Sequence, residues 1–245
     1  MYHNIELKEG AIVIADAHYS HKRPELLAFL GEIHAQNIPA TQLFLMGDIF
    51  DALFGEVSYT HVQNQEAIGL INEIAQRIEV FYLEGNHDFN LAPVFPNVKI
   101  FPIEYQPVEC SYKGKKILLS HGDIEGDFGY RVYAKTIRNS SVLRLLAFLD
   151  TLFGHAILKR LDAYLSKKDD CREFVGLKDF MQKRVGEKYV CDYFVEGHFH
   201  QNKTIELDSF VYVNLGAFAC NQRYFVVKST QNRELFEEKN FSQGI

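Results

Sequence analysis

Short apolar runs alternate with longer mixed segments along most of this chain, and their spacing predicts its secondary structure. In the first hundred residues, strand-like runs are separated by two stretches whose apolar residues recur at near-helical spacing. The predicted order is strand 12–16, helix 24–36, strand 43–46, helix 60–77 and strand 80–83. Short strands follow at 98–101, 108–112, 116–119, 193–196, 203–207, 210–214 and 223–227. This pattern predicts an α/β fold, a two-sheet β-sandwich flanked by helices.

Five of the apolar runs are followed directly by a polar cluster rich in Asp, His and Asn. The clusters are Asp16-Ala17-His18, Gly47-Asp48-Ile49-Phe50-Asp51, Gly85-Asn86-His87-Asp88, His121-Gly122-Asp123 and Gly197-His198-Phe199-His200. The carboxyl ends of parallel strands meet at one edge of a sheet, so these side chains are expected to converge. Carboxylate, amide and imidazole groups are the ligands that divalent metals take in proteins. The pattern therefore predicts a metal centre at one rim of the sandwich.

The series D-x-H, G-D-x-x-D, G-N-H-D, H-G and G-H-x-H resembles the calcineurin-like metallophosphoesterases, over about residues 11 to 218. The resemblance implies two divalent metal ions, which activate water for in-line attack on phosphorus without a protein nucleophile. It implies that one ion is held by Asp16, His18, Asp48 and His200. It implies that the other is held by Asp48, Asn86, His121 and His198, with Asp48 as the bridge. All seven positions are filled, which favours an active enzyme over a binding scaffold of the same fold.

A segment of about sixty residues, 129–188, interrupts the strand pattern and is predicted to form a helical lid inserted into a single domain spanning 1–245. It carries 13 Lys or Arg against 7 Asp or Glu, whereas the rest of the chain carries 13 against 25. A basic lid on an acidic body favours an anionic substrate, although such charges also simply solvate a helix face. Residues 142–165 are apolar nearly all round, which indicates either ordinary packing or contact with an acyl chain or membrane surface.

Two longer strings, G-D-I-F-D-A-L-F-G and H-G-D-I-E-G-D-F-G-Y, resemble the UDP-2,3-diacylglucosamine pyrophosphohydrolases of lipid A biosynthesis. The resemblance implies an anionic nucleotide-sugar lipid substrate, cleaved at its pyrophosphate to UMP and 2,3-diacylglucosamine 1-phosphate. It also implies Mn²⁺ as the metal, with Mg²⁺, Fe²⁺ or Zn²⁺ as alternatives, and cytoplasmic action as a peripheral protein of the inner membrane. No nucleic-acid partner is expected, and the oligomeric state stays open. The alternative function is another metal-dependent phosphodiesterase or nucleotide pyrophosphatase of the same fold.

The resemblance also assigns roles around the metals. His87, expected to hydrogen-bond Asp88, would either donate a proton to the leaving group or bind phosphoryl oxygens as a cation. The lipid A enzymes commonly carry Arg at the position of His87. Asp51 is expected to orient a ligand histidine or to cap a helix. The expected substrate contacts are Asn86, His87, Asp127 and His198, together with the basic lid residues Lys159, Arg160, Lys167 and Lys168.

The remaining expectations concern cysteines and the chain termini. Cys110, Cys171, Cys191 and Cys220 have no paired spacing, which predicts no disulfide or zinc framework and fits a reducing cytosol. The start of the chain has no secretory pattern, and no apolar run approaches the ~18 residues of a membrane span. The polar tail from 230 to 245 is expected to be partly frayed.

Overall fold

Two six-stranded sheets form the centre of the molecule. The computed structural model describes residues 5–123, 128–165, 167, 171–228 and 235–241. Sheet I has the order β14 (Phe236–Asn240), β13 (Arg223–Val227), β2 (Ile12–Ile14), β3 (Gln42–Leu45), β5 (Glu79–Leu83), β7 (Lys99–Phe101). Sheet II has the order β1 (Ile5–Glu6), β8 (Val108–Tyr112), β9 (Lys115–Ser120), β10 (Tyr193–Glu196), β12 (Val211–Asn214), β11 (Lys203–Glu206). A short parallel pair, β4 (Leu53–Phe54) and β6 (Asp88–Phe89), lies outside both.

The two sheets pack face to face because their central strands are apolar on both faces. In β3, Phe44 points into the layer between the sheets, while Leu43 and Leu45 point to the other side. That other side is covered by α1 (Glu25–His34) and α3 (Gln65–Ile74), which bury Phe29 and their other apolar residues against it. Parallel strands covered on both faces read as continuous hydrophobic runs, and this explains why the sequence pattern was strong here. The predicted fold class is confirmed.

Four helices occupy most of the segment between β9 and β10, and we call residues 128–185 the helical insertion. They are α4 (Phe128–Ile137), α5 (Ser140–Leu152), α6 (Ala156–Leu165) and α7 (Leu177–Val185). Helix α7 packs on the outer face of sheet II through Leu177, Met181 and Val185. The ring of His155, between α5 and α6, stacks on Tyr59 of α2 (Ser58–Gln63) with centroids 3.9 Å apart. The insertion thus contacts the rest of the molecule near its middle and near its C-terminal end.

The prediction of one helix over 60–77 is wrong in one respect. The structure has two helices there, α2 and α3, which are separated by a break at Asn64. The Asn64 side chain donates to the backbone carbonyls of Thr60 and Ala52, at 2.8 and 3.1 Å. The bond to Thr60 occupies the carbonyl that would accept the Asn64 N–H in a continuous helix, so the side chain competes with the helix. Within the polar tail, Phe236–Asn240 forms the antiparallel edge strand β14 beside β13, and residues 230–234 and 242–245, part of the expected frayed tail, lie outside the described residues.

The prediction that the cysteines form no disulfide is wrong for one pair. Cys171, which precedes α7, is bonded to Cys220 in α8 (Phe218–Asn221), 49 residues along the chain. No spacing rule could reveal this pair, because the partners meet only through the tertiary fold. Cys110 and Cys191 are free thiols.

A membrane span within one helix is not found among the described residues. Helices α5 and α6 together are long and apolar enough, but they form a pair bent by 102°.

Candidate metal centre

The polar clusters predicted from the sequence meet at the carboxyl ends of five parallel strands. Asp16 and His18 follow β2, Asp48 follows β3, and Asn86 follows β5, all from sheet I. His121 follows β9, and His198 and His200 follow β10, both from sheet II. Five of these seven residues have a left-handed backbone: Asp16, His18, Asp48, His198 and His200, with φ between 46° and 59°. Such conformations cost energy in non-glycine residues and persist where the surroundings enforce them, commonly at functional sites.

A first cluster contains Asp16, His18 and His200, whose candidate ligand atoms lie within 4.8 Å of one another. Nε2 of His200 lies 3.2 Å from Oδ1 of Asp16. Burial raises the pKa of Asp16, but His200 outweighs it and holds that pKa below its ordinary value. Both ring nitrogens of His18 are buried; Nδ1 lies 3.3 Å from Oδ1 of Asp51, and Nε2 makes no hydrogen bond within the described residues. A buried ring nitrogen without a partner is costly, and a metal ion in this cluster would satisfy Nε2.

A second cluster contains Asp48, His121 and His198, again within 4.8 Å. Nε2 of His121 lies 3.4 Å from Oδ2 of Asp48 and 3.4 Å from Oδ1 of Asn86. Nδ1 of His121 lies 2.9 Å from the carbonyl of Met46, an arrangement that assigns the proton to Nδ1 and leaves Nε2 facing the cluster. Burial and the neighbouring His121 lower the pKa of His198 to about 4. A neutral His198 can accept a metal ion through its lone pair.

Asp48 contacts more of this centre than any other single carboxylate described here. Its Oδ1 accepts the backbone N–H of His87 at 2.8 Å, and its Oδ2 lies 3.9 Å from Nε2 of His87. Burial raises the pKa of Asp48, but His121 and then His87 lower it well below the ordinary range. A fully buried, ionised carboxylate next to several imidazoles fits a ligand of divalent cations.

Two glycines permit these close approaches. A Cβ at Gly85 would collide with the Asp48 carboxylate, and a Cβ at Gly197 would collide with the Asp16 carboxylate. The G-N-H-D and G-H-x-H motifs therefore need glycine because there is no room for a Cβ, and not because of a turn conformation. Larger side chains at either position would displace a candidate ligand.

Asp88 has a different environment from the expected one. Its carboxylate accepts backbone N–H groups of Asp48, Ile49, Phe50 and Gly85 at 2.6–3.2 Å, and the Tyr82 hydroxyl donates to it at 2.5 Å. Nδ1 of His87 lies instead 3.0 Å from the backbone carbonyl of Asp51. The expected hydrogen bond between the His87 ring and Asp88 is thus wrong. Burial, followed by the nearby Asp48 charge, raises the pKa of Asp88 to about 7.

Asp51 lies where a residue that orients a ligand histidine should be. Its Oδ1 is 3.3 Å from Nδ1 of His18. Burial raises the pKa of Asp51, but His18 counteracts this and lowers it overall. His87 lies beside the same ring, with the centroids of His18 and His87 5.0 Å apart.

Asn214 and Gln106 support the centre although the sequence analysis did not single them out. Asn214, at the end of β12, donates to the Gly197 carbonyl at 2.6 Å and accepts the Gln201 N–H at 2.7 Å. Gln106 accepts the His121 N–H at 2.7 Å and donates to the Glu84 carbonyl at 2.8 Å. A polar residue at the carboxyl end of the apolar run V-Y-V-N was the available signal for Asn214, whereas Gln106 gave none.

An apolar cavity of about 280 Å³ leads from the metal centre into the helical insertion. Asp51, Asn86 and His87 line one end, and Phe89 and Val57 form part of the wall from the sandwich side. The insertion contributes Tyr133, Ile137, Leu143, Leu146, Ala147, Ile157, Leu158 and Leu161, among others. The volume is near the lower end of the range for ligand sites, about 300–1,000 Å³.

The basic residues expected to bind substrate do not line this cavity. Lys159, Arg160 and Lys167 are exposed, and the Lys159 ammonium donates to the carbonyl of Gly154 at 2.9 Å. Among the described residues that line the cavity, the arginine is Arg138, which was not among the expected substrate contacts. Asp127 and Lys168 lie outside the described residues.

Helix α5 is apolar on two opposite sides. Leu143 and Leu146 line the cavity, whereas Leu145, Phe148 and Leu152 are 59%, 61% and 63% exposed. Phe153, just beyond the helix, is also exposed. Packing among the described residues therefore accounts for only one of the two sides.

The comparison with known sequences agrees with this site. The sequence profile of the family described as Calcineurin-like phosphoesterase matches residues 11–202. The chain belongs to this family, and it is a hydrolase acting on phosphoester or phosphoric anhydride bonds. Members of the family use a dinuclear metal site, and the two ligand clusters described above supply candidates for both ions.

Individual relatives have more specific names. The chain is 28% identical over 196 residues to "UDP-2,3-diacylglucosamine hydrolase" of Photorhabdus laumondii, covering 78% of this chain and 81% of that protein. It is 26% identical over 195 residues to the protein of that name from Pseudomonas fluorescens, covering 78% of each. Among solved structures, Yfce, a phosphoesterase from E. coli, gives a TM-score of 0.47 at 12% identity, covering 95% of this chain and 99% of that one.

Proposed function

We propose that this chain hydrolyses the pyrophosphate of UDP-2,3-diacylglucosamine to UMP and 2,3-diacylglucosamine 1-phosphate, in lipid A biosynthesis. One observation carries the proposal: an apolar cavity in the helical insertion ends at Asn86 and His87 of the candidate metal centre. Hydrolysis of a small polar phosphodiester needs no such cavity, whereas an acyl chain gains about 0.8 kcal/mol for each methylene removed from water. The relatives named UDP-2,3-diacylglucosamine hydrolase are consistent with this assignment.

The proposed ligands are those of the two clusters. Asp16, His18, Asp48 and His200 would hold one ion. Asp48, Asn86, His121 and His198 would hold the other. When bound, the pair would lower the pKa of a water molecule and offset negative charge at phosphorus. Mn²⁺ is the proposed metal, with Mg²⁺, Fe²⁺ and Zn²⁺ as alternatives, because a mixed set of carboxylate, amide and imidazole ligands suits all four.

The residues of the chain have distinct proposed tasks around the scissile bond. His87 lines the cavity and lies against Asp48, so it can reach a phosphoryl or leaving-group oxygen next to the metals. Asn86 and His198 would contact the same phosphate. Asp88 orders the backbone from Asp48 to Phe50 and thereby the position of Asp48. Asp51 would hold the ring of His18.

The charge of the insertion suggests how the anionic part of the substrate is bound. The net positive charge of residues 129–188 contrasts with the acidic remainder of the chain and would attract a nucleotide diphosphate. Lys159, Arg160, Lys167 and Lys168 are the proposed contacts on the insertion, and Asp127 is a further proposed contact. Because Lys159, Arg160 and Lys167 are exposed, their contribution should weaken as salt is added.

The deciding experiment compares two substrates that share the UDP-glucosamine part. Purified enzyme with Mn²⁺ should hydrolyse UDP-2,3-diacylglucosamine in detergent micelles and leave UDP-N-acetylglucosamine almost unchanged, with products identified by mass spectrometry. UMP and the acylated sugar 1-phosphate are the expected products. Equal efficiency on both substrates would refute lipid recognition and favour a nucleotide pyrophosphatase of the same fold. The histidine at position 87 favours that alternative, since the lipid A enzymes commonly have Arg there.

Polar substitution inside the cavity should reduce use of the acylated substrate specifically. Leu146→Asn places an amide in the apolar wall, which costs about 1–3 kcal/mol and should lower kcat/KM for the diacyl substrate roughly tenfold or more. Val175→Asn is the control, because it alters an exposed valine of the insertion that lies outside both α5 and the cavity lining. Both variants should hydrolyse a small chromogenic phosphodiester like the unmodified enzyme. An equal loss of both activities in Leu146→Asn would instead indicate a damaged fold.

The outer side of α5 is proposed to contact the cytoplasmic surface of the inner membrane. The exposed Phe148 and Leu152 lie in a basic segment, a combination that binds anionic bilayers by partial insertion and charge. We expect Phe148→Ser with Leu152→Ser to weaken co-sedimentation with phosphatidylglycerol-containing vesicles by roughly tenfold or more. Val190→Ser, which alters an exposed valine after the insertion, should change nothing. Unaltered vesicle binding in the double variant would refute this contact.

A further inference from the structure

Two arginines of the helical insertion reach the backbone of the loops that carry metal ligands. Arg138 follows α4, near the start of the insertion, and Arg184 lies in α7, near its end. Both side chains are nearly buried, Arg138 at 11% and Arg184 at 7% exposure. Neither belongs to a motif that the sequence analysis singled out.

Arg138 joins the loop of Asn86 to the loop of His121. Its Nη2 donates to the carbonyl of Gly85, one residue before Asn86, at 3.0 Å. The same nitrogen donates to Oδ2 of Asp123, two residues after His121, at 3.0 Å. The guanidinium also lies over the ring of Phe89, 5.1 Å from its centroid. One buried cation therefore sets the spacing of two loops that each provide a candidate ligand of the second cluster.

Arg184 joins the loop of His121 to the loop of His198. Its two terminal nitrogens donate to the two carboxylate oxygens of Glu196, both at 2.7 Å, and Glu196 lies two residues before His198. Nη2 also donates to the carbonyl of Gly122, directly after His121, at 2.9 Å. Tyr212 donates to the same carboxylate at 3.0 Å, so the buried charges are compensated.

The first cluster has a different connection to the insertion, because Gln201, directly after His200, accepts the Phe174 N–H at 2.6 Å and donates to the Arg172 carbonyl at 3.0 Å. Asp16 and His18 follow β2 and are held by backbone bonds to Gly47 and Asp48 of the neighbouring loop. His200 shares a loop with His198, but the Gly197–Gln201 turn is held separately by Asn214 of sheet II. Both clusters thus contact the insertion, but among the described residues it is the second cluster whose ligand loops are joined by arginine side chains of the insertion.

We propose that Arg138 and Arg184 are positioning residues for the metal subsite of Asn86, His121 and His198, so that its affinity depends on the helical insertion. In Arg184 the planar guanidinium is required, because its two terminal nitrogens donate to both oxygens of the Glu196 carboxylate and to the Gly122 carbonyl at fixed angles. A lysine ammonium keeps the charge but cannot reproduce that fork. The proposal rests on the two-ion centre and not on the identity of the substrate.

The test measures Mn²⁺ binding to chelator-treated protein without substrate. Calorimetry gives the affinities, and electron paramagnetic resonance shows whether the ions are coupled. The unmodified protein should bind two ions and give the spectrum of a coupled pair. Arg138→Met and Arg184→Lys should each weaken one of the two ions by roughly 10–100-fold, as expected for groups that hold ligands in place. With one equivalent of Mn²⁺ added beyond the two that the centre binds, the spectra of these two variants should then show isolated Mn²⁺. Arg144→Met, an exposed arginine of α5, is the matched control and should bind both ions normally.

A double variant assigns the weakened ion to its subsite. His18→Ala should leave one ion bound, and adding Arg138→Met should weaken that remaining ion by the same factor. Arg138 lies at the cavity wall, so its variants provide the test if those of the more buried Arg184 do not fold. Normal binding of both ions in folded Arg138 variants would overturn the proposal. So would a parallel loss of both ions with a lowered unfolding temperature of the metal-free protein, since that indicates a general structural role.

The result of this metal-binding test does not depend on the proposed activity. Failure to hydrolyse UDP-2,3-diacylglucosamine would leave the metal-binding result intact, because no substrate enters that measurement. An unmodified protein that binds fewer than two ions would overturn this proposal and the dinuclear assignment together.

Discussion

Asp48→Ala should abolish turnover and release both metal ions together. Asp48 is fully buried, contacts the cluster of His121 and His198, and is the proposed shared ligand of the two ions. Removing its carboxylate also leaves the imidazoles of His87 and His121 without their charged neighbour. Elemental analysis should find close to two metals per chain in the unmodified protein and almost none in the variant, with Mn²⁺ the best activator of the former.

Two further variants serve as comparisons for Asp48→Ala. His18→Ala should empty mainly one subsite, because His18 belongs to the first cluster alone among the two proposed ligand sets. Asp208→Ala removes an exposed carboxylate of the β11–β12 turn and should keep both ions and full activity. Full activity of chelator-treated protein without added metal would contradict the dinuclear assignment.

His87→Ala should lower kcat by roughly 10²–10⁴-fold if the ring donates a proton to the leaving group, while both metals remain bound. The reason is positional: His87 lies between Asp48 and the cavity, and its Nδ1 is fixed by the carbonyl of Asp51. A general acid matters little when the leaving group departs readily without a proton. The loss should therefore be small for a p-nitrophenyl ester and large for an alkyl ester.

His87→Arg distinguishes proton donation from charge. If the ring acts as a cation beside the phosphate, the arginine variant should retain much more activity than His87→Ala on every substrate. Equal inactivity of the two variants on the natural substrate would favour proton donation. Near-normal activity of both would mean that the ring only fills the space next to His18, from which it is 5.0 Å away.

The strands were predicted well because their residues are buried on two faces. The runs at 43–46, 80–83 and 193–196 agree to within one residue at each end with β3, β5 and β10, whose residues are almost all buried. A continuous apolar run has few alternatives in a layered fold, so its local pattern is sufficient. The helix at 60–77 was less predictable, since the break at Asn64 depends on a side chain that bonds to Ala52 as well as Thr60.

The environment of Asp88 could not be predicted either. Its five hydrogen bonds come from two separate chain segments, residues 48–50 and residues 82–85. A motif names the residue but not its donors, because the donors are brought together by the sheet. The pair Cys171 and Cys220 was missed for the same reason, as its members are distant in sequence.

The sequence by itself determined the fold class, the family and the set of candidate metal ligands. The seven ligands follow five apolar strands, so the local sequence pattern predicts their position at the ends of these strands, and parallel pairing then brings them together at one rim of the sandwich. Only the tertiary structure decided which side chains meet there: Asp88 with the 48–50 turn, and Arg138 and Arg184 with the ligand loops. It also decided that one side of α5 lines a cavity and the other is exposed. The sequence of an apolar helix does not show which elements cover each of its sides, because burial depends on elements that are distant in sequence.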